Sequence, residues 1–238
     1  MPVPVPVDRM RSLQMYLRNT GRYLASVDGK YGPKTKNAII MAMEDGPETF
    51  LSDHNYYESA QRLNCKQSYI MALAEVESQG SGFEDHRPKI LFEPHRFSKL
   101  TQHRFDGTNP KVSYPVWGQR PYPKSVDDRY AQLIEAIGLD PLAGFQAASY
   151  GKFQIMGENF AKCGFTTPWE MAFTQAYDEM AQLKTFERFI TTTGIIQPLR
   201  LGLWQSVAAQ YNGTSYRVHK YDERLEAAAK KFDRRLAA

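Results

Sequence analysis

Apolar residues recur at helical spacing near the start of this 238-residue chain. The spacing predicts a first helix over residues 10–24, and Pro33 opens a second helix that runs to about residue 43. A turn-rich stretch over residues 27–35 lies between them. Residues 45–47 break the helical pattern, and the stretch from there to about residue 55 suits a linker or a short bridging helix. The first 50 residues therefore read as a small helical unit.

The rest of the chain alternates helical stripes with one irregular stretch. All but the last of the predicted helices have a start or stop signal. The first two span residues 69–79, with Ser68 as N-cap, and residues 130–137, with Gly138 as stop. Another begins at Asp140-Pro141, a long one spans residues 168–194, and the next spans residues 204–211. The last predicted helix buries Val218, Tyr221, Leu225 and Phe232. Residues 85–126 are rich in proline and aromatic residues and show no helical period, although residues 89–92 suit a short strand. The predicted fold class is mainly α with a short irregular or β lobe.

Composition and charge limit the possible partners. A net charge of +4 suits an anionic polymer but falls short of a nucleic-acid signature, so no nucleic acid is expected. No apolar run is long enough to span a bilayer, and the Pro-Val start is not a signal peptide. Residues 216–238 hold seven basic against four acidic side chains. That surplus allows contact of the last helix with an anionic outer membrane, but an ordinary solvated helix face explains it as well.

One carboxylate interrupts an apolar stripe. Ile70, Leu73 and Ala74 occupy positions i, i+3 and i+4 of their helix, and position i+7 is Glu77. Glu75 falls on the opposite side. Partial burial and the nearby helix C-terminus should both raise the pKa of Glu77, which is what a glycosidic general acid needs. A structural ion pair with an arginine is the alternative.

Two later segments extend this pattern into a resemblance. Residues 148–157 place Gly-Lys-Phe-Gln-Ile-Met-Gly after a Ser-Tyr pair, and residues 208–213 end in Gln-Tyr-Asn-Gly. Together with the Glu-Ser pair at 77–78, this order resembles the lysozyme superfamily of goose-type lysozymes and lytic transglycosylases. More closely, residues 73–78, 87–93 and 151–157 resemble the N-acetylmuramidase family of phage endolysins. The resemblance covers about residues 60–235.

The resemblance implies specific roles in one substrate cleft. Glu77 would protonate the oxygen that bridges N-acetylmuramic acid and N-acetylglucosamine, and Ser78, Gln154, Tyr211 and Asn212 would contact the substrate. The Tyr211 hydroxyl could bond the carboxyl or a sugar, or the ring could simply be part of the core.

Hydrolysis requires a second carboxylate to activate water or to act as nucleophile. Glu93 is the first candidate, at the edge of the predicted strand, and Asp85 and Asp106 are weaker ones. An ion pair of Glu93 with Arg87 or Arg96 is the structural alternative. Without a second carboxylate, the muramoyl 6-hydroxyl would attack and the enzyme would be a lytic transglycosylase.

The turn at residues 28–35 carries a second resemblance. Its Asp-Gly-x-x-Gly-Pro-x-Thr pattern resembles the three-helix peptidoglycan-binding domain, with a generic capped turn as the alternative. The resemblance implies that Asp28, Tyr31 and Thr35 contact the cell wall. The predicted organisation is a binding domain at 1–50, a linker at 51–62 and a catalytic domain at 63–238.

The chain thus reads as a modular endolysin that cuts peptidoglycan. The rivals are a lytic transglycosylase and a non-catalytic wall-binding or virion protein. We expect no metal, since His86, His95 and His103 lack metal-site spacing and the two cysteines have no paired motif. Hydrolysis by carboxylates needs no cofactor, so none is expected. The protein is expected to be a monomer. The resemblance implies synthesis in the host cytoplasm and release to the wall through a separate membrane-permeabilising protein.

Overall fold

The computed structural model describes residues 7–238. The prediction that the Pro-Val start is not a signal peptide concerns residues outside this range. The described chain is mainly helical with two small antiparallel sheets, as predicted. Its helices are α1 Val7–Asn19, α2 Pro33–Glu44, α3 Asp53–Leu63, α4 Gln67–Ser78, α5 Pro94–Leu100, α6 Val126–Leu139, α7 Pro141–Gln146, α8 Pro168–Gln175, α9 Glu179–Thr192, α10 Ile196–Arg200, α11 Trp204–Asn212 and α12 Tyr221–Ala237. Its strands are β1 Phe83–Glu84, β2 Arg87–Pro88, β3 Ile90–Phe92, β4 Ala148–Tyr150 and β5 Ile155–Met156.

Strands β3, β4 and β5 form the larger sheet in that order, and β1 pairs with β2. Ile90 lies opposite Tyr150, which in turn lies opposite Ile155. The predicted strand near residues 89–92 is confirmed. The sheet places β3 and the β4–β5 turn beside the end of α4.

The N-terminal region differs from its prediction in two ways. Between residues 7 and 50 the structure has two helices, where the resemblance implies three. Helix α1 ends at Asn19, and Leu24, predicted as a helical core position, is 94% exposed. The chain turns at Gly21, whose φ of 78° lies in the left-handed region that glycine tolerates, so the apolar period stops there.

Helices α1 and α2 share one hydrophobic core with the sheet, α6, α7 and α8. Arg9 pairs with Asp140, and the Tyr31 hydroxyl donates to the carbonyl of Ile134. Gly138, predicted as a helix stop, lies inside α6. A Cβ there would lie 2.7 Å from the Tyr31 ring, so the glycine serves packing rather than termination.

The stretch predicted as a linker is largely helix α3. Its Tyr56, Ala60 and Leu63 are buried at positions i, i+4 and i+7 and join a second core, which α4, α9, α11 and α12 also build. Ser52 caps the helix through a reciprocal hydrogen-bonded pair with Asn55. An apolar stripe with a capping box explains why this stretch is ordered and packed.

Other helix ends also need correction. Helix α4 begins at Gln67, and Ser68 is buried within it instead of capping it. The predicted helix over 168–194 is two helices, because Asp178 starts α9 by accepting a hydrogen bond from the Ala181 amide. Val218 precedes α12 in a short 3₁₀ helix and is exposed, whereas Leu225 and Phe232 are buried as predicted.

Helix α12 lies against α4 along its apolar side. Several of its basic side chains have acidic partners: Lys231 pairs with Glu75, Arg235 with Asp53 and Lys230 with Glu226. These pairs reduce the positive field that an anionic surface would meet. Both cysteines are free. None of the helices within residues 7–238 is long and apolar enough to cross a membrane.

Candidate active site

A groove crosses the protein where the ends of α4 and α11 meet the larger sheet. It consists of three adjoining cavities, which we call the polar, central and aromatic cavities, with volumes of about 470, 580 and 430 Å³. Glu77 lines both the polar and the central cavity, and Glu93 lines both the central and the aromatic cavity. The two carboxylates therefore belong to one continuous groove.

Glu77 lies in the last turn of α4, one residue before the helix ends at Ser78. Gln79 and Gly80 take left-handed conformations that end the helix, with φ of 57° and 85°. Burial raises the pKa of Glu77 to about 7, and this outweighs the Asn212 hydrogen bond and the Arg224 charge, which both lower it. The direction agrees with the prediction from the apolar stripe.

No arginine among the described residues forms an ion pair with Glu77, and Arg224, whose charge acts on it, bonds elsewhere. Arg224 donates to the carbonyl of Val76 at 3.1 Å, and the Nδ2 of Asn212 donates to Glu77 Oε1 at 2.9 Å. Asn212 ends α11, where Gly213 takes a φ of 77°. The Oδ1 atom of Asn212 is buried and has no hydrogen-bond partner among the described residues. Glu77 thus has an amide partner on one side and an unpaired acceptor nearby.

Glu93 is 14% exposed and occupies the N-cap position of α5. Its Oε2 accepts a hydrogen bond from the Tyr122 hydroxyl at 2.7 Å and lies 3.2 Å from His95 Nδ1. Neither Arg87 nor Arg96 forms an ion pair with it, because Arg87 pairs with Asp127 and Arg96 with Glu158. The carboxylate is instead fixed by an aromatic hydroxyl and a histidine at the side of the groove.

The alternatives to Glu93 lie elsewhere. Asp85 is exposed in the turn between β1 and β2, with a φ of 48°. Asp106 accepts hydrogen bonds from Ser98 and Ser113 and pairs with His103. Neither lines the groove, so both weaker candidates are unsuited to act with Glu77.

Gln154 lines the groove beside Glu77, but its amide is used within the protein. Ser149 donates to its Oε1 at 2.7 Å, and its Nε2 donates to the carbonyls of Gly151 and Lys89 at 2.8 and 3.2 Å. These bonds hold the residue at a φ of 46°, which is unfavourable for a side chain other than glycine. Gln154 shapes the groove wall through the β4–β5 turn.

Tyr211 and Ser78 also use their hydroxyls internally. Tyr211 donates to the carbonyl of Phe153 at 2.6 Å, and its ring packs against Phe186 and Phe189. The hydroxyl therefore donates to the backbone and not to the Glu77 carboxyl, and the ring packs against the core, which was the alternative for this residue. The Ser78 hydroxyl donates to the Ala74 carbonyl at 2.9 Å. Both residues border the groove and support its walls.

Comparisons with known proteins identify the family of the chain. A family model described as N-acetylmuramidase matches residues 66–233. The chain belongs to the N-acetylmuramidase family. This muramidase-type glycoside hydrolase is also similar to the protein in "Crystal structure of Burkholderia AP3 phage endolysin", with a TM-score of 0.69 and 28% identity over 96% of this chain and 95% of that one. No curated protein matches it.

A buried ion pair that the sequence did not reveal anchors the groove of the muramidase. Lys152 Nζ lies 2.9 Å from Glu179 Oε2, and the Glu179 side chain is fully buried. Glu179 also accepts the backbone N–H groups of Leu51 and Gly82, both at 2.8 Å. Lys152 donates to the Gly80 carbonyl, so the pair fixes the loop that follows Glu77. Spacing along the chain could not predict it, because the partners come from distant segments.

The residues predicted to contact the wall occupy two different environments. Gln14 donates to Asp28 and Thr35, at 3.1 and 3.0 Å, so both side chains hold the turn together. They line a separate cavity of about 470 Å³ together with Lys30. Tyr31 instead packs on α6, so its predicted wall contact is disfavoured by the packing that it provides.

Proposed function

We propose that this muramidase hydrolyses the β-1,4 bond between N-acetylmuramic acid and N-acetylglucosamine in bacterial peptidoglycan, with Glu77 as general acid. One observation carries the proposal. Glu77 combines a pKa raised to about 7 with a position between two cavities of one groove. A glycan strand lying through both cavities would place a glycosidic oxygen beside an acid that is substantially protonated near neutral pH.

Glu93 is the proposed second carboxylate. It lines the central cavity with Glu77, and Tyr122 and His95 hold it in place. In hydrolysis with inversion it would accept a proton from the attacking water while Glu77 protonates the leaving oxygen. The contacts with Tyr122 and His95 hold the carboxylate in the position that this role requires.

The biological role we propose is that of a phage endolysin. Support comes from the likeness to a phage endolysin, which extends over 96% of the chain and so includes the N-terminal helices. Residues 1–50 would bind the wall through the turn at Asp28 and Thr35, and residues 63–238 would cleave it. Attachment to the wall raises the local concentration of glycan at the groove. Release from the host cytoplasm would require a separate membrane-permeabilising protein.

The decisive experiment compares Glu77→Gln with Glu75→Gln on purified peptidoglycan. Loss of the general acid should reduce the rate by roughly 10²–10⁴-fold, whereas Glu75, which pairs with Lys231 at the surface, should be dispensable. Mass spectrometry of the fragments should show reducing muramic ends. Full activity of Glu77→Gln would refute the assignment of the acid, and 1,6-anhydro ends would make the enzyme a lytic transglycosylase.

The role of Glu93 needs its own variant. Glu93→Gln keeps a side chain of the same size that can still accept from Tyr122, so folding should be retained. The rate of hydrolysis should fall while binding of glycan to the groove persists. An unchanged rate in a folded Glu93→Gln protein would remove Glu93 from the mechanism.

A further inference from the structure

The aromatic cavity adjoins the central cavity on the side of Glu93. Trp117, Tyr122, Tyr216, His219 and Tyr221 line it, and they come from two segments that lie far apart in the sequence. Its volume of about 430 Å³ lies within the range of sites for small molecules. It therefore has room for part of a ligand that begins at the catalytic carboxylates.

The rings form a connected wall. Trp117 lies edge-on to His219, with 6.1 Å between ring centroids, and His219 lies edge-on to Tyr221 at the same distance. Tyr122 links this wall to the catalytic groove by donating to Glu93. A ligand in contact with the rings would thus continue directly past the second carboxylate.

Trp117 presents an apolar surface that the fold leaves uncovered. It is 53% exposed although its neighbours line a cavity, and an exposed large aromatic ring at a concave site is typical of a binding surface. The polar cavity on the other side of Glu77 differs in character, because Glu84, Lys89 and Arg129 line it. The groove is therefore asymmetric about Glu77, because six aromatic or imidazole rings line the aromatic cavity, whereas Phe83 is the only such ring among the described residues that line the polar one.

We propose that the aromatic cavity is a glycan subsite in which one N-acetylhexosamine ring stacks on Trp117, so that the strand runs from Glu77 past Glu93 to this ring. The proposal rests on the proposed function, because it assumes a glycan in the groove. The faces of β-linked sugar rings carry C–H groups that pack on aromatic rings, while their hydroxyls bond polar groups at the ring edges. The Glu93 carboxylate and the His219 ring supply such groups at the cavity edge.

The test measures binding in the Glu77→Gln background, where hydrolysis should not interfere. The probes are the hexamer of N-acetylglucosamine and glycan strands stripped of their peptides, with titration calorimetry as readout. Trp117→Ala should weaken binding of both probes about fivefold, since a stacked ring contributes on the order of 1 kcal/mol. Trp117→Phe should recover most of the affinity. Tyr57→Ala is the matched control, because Tyr57 is a similarly exposed aromatic residue on α3 that lines none of the three cavities.

Three results would overturn the subsite. One is binding by Trp117→Ala within twofold of its parent, at an unchanged urea midpoint. When the measurement is repeated on strands that still carry their peptides, a loss confined to those strands is a second, because it would assign the cavity to the peptide. The third is no binding of either probe by the parent. The proposed function fails by a different result, namely retained hydrolysis by Glu77→Gln in the otherwise unchanged protein.

Discussion

Replacing Glu77 by Gln should stabilise the protein at pH 8 and change its stability little at pH 5. Burial raises the pKa of Glu77 from an ordinary 4.5 to about 7, so between these values the folded state binds more protons than the unfolded state. The free energy of unfolding therefore falls as the pH rises through this window. The shift in the pKa of Glu77 corresponds to roughly 3 kcal/mol of unfolding free energy, at about 1.36 kcal/mol per unit of pKa. Solvent in the groove screens part of it, so we expect roughly 2 kcal/mol.

Urea unfolding of wild type, Glu77→Gln and Glu75→Gln at pH 5, 6, 7 and 8 and constant ionic strength measures this effect. Subtracting wild type at each pH removes the contribution of every other titrating group. The advantage of Glu77→Gln should grow by roughly 2 kcal/mol from pH 5 to pH 8, or about 4–8 °C in Tm. Glu75 lies at the surface opposite Lys231, so its variant should differ from wild type by less than about 0.5 kcal/mol throughout. An advantage of Glu77→Gln that is the same at pH 5 and pH 8 would refute the argument.

Two further predictions follow from contacts of the groove. Asn212→Ala removes a hydrogen bond that lowers the pKa of Glu77. The alkaline limb of the kcat/KM profile should therefore move to higher pH, because the acid stays protonated longer. A pH-rate series in which this limb does not move would contradict the prediction. Glu179→Ala leaves Lys152 buried without its partner and should cost about 3–5 kcal/mol in urea unfolding. Glu226→Ala, which removes an exposed partner, should cost under about 0.5 kcal/mol, and equal losses in the two variants would count against the buried pair.

The position of Glu77 could be predicted because it depends only on helix geometry. Three apolar residues at i, i+3 and i+4 fix the buried face, and the fourth position on that face is necessarily i+7. The raised pKa follows from burial of that face. The contact with Asn212 could not be derived this way, since 135 residues separate the partners. Only the resemblance to a known family pointed to Asn212.

Errors at the helix ends have a common physical cause. Gly138 and Ser68 are residue types that often end or start helices, yet tertiary packing places both inside one. The Tyr31 ring requires the absence of a Cβ at residue 138, and this contact comes from the other end of the chain. The Tyr211 hydroxyl likewise donates to the carbonyl of Phe153, a partner that no local pattern identifies. Local signals fix the periodic segments, and distant partners decide their boundaries.

The shared core bears on how the N-terminal helices would serve catalysis. Met10 and Leu13 of α1 belong to the same buried cluster as Leu133 of α6 and Phe145 of α7. The stretch between the two predicted domains is mostly the packed helix α3, so it is not a flexible linker. A glycan held at the turn near Asp28 would therefore lie at a set distance from the groove. Wall binding would then orient the groove on the strand as well as concentrate it there, because a rigid connection restricts rotation as well as distance.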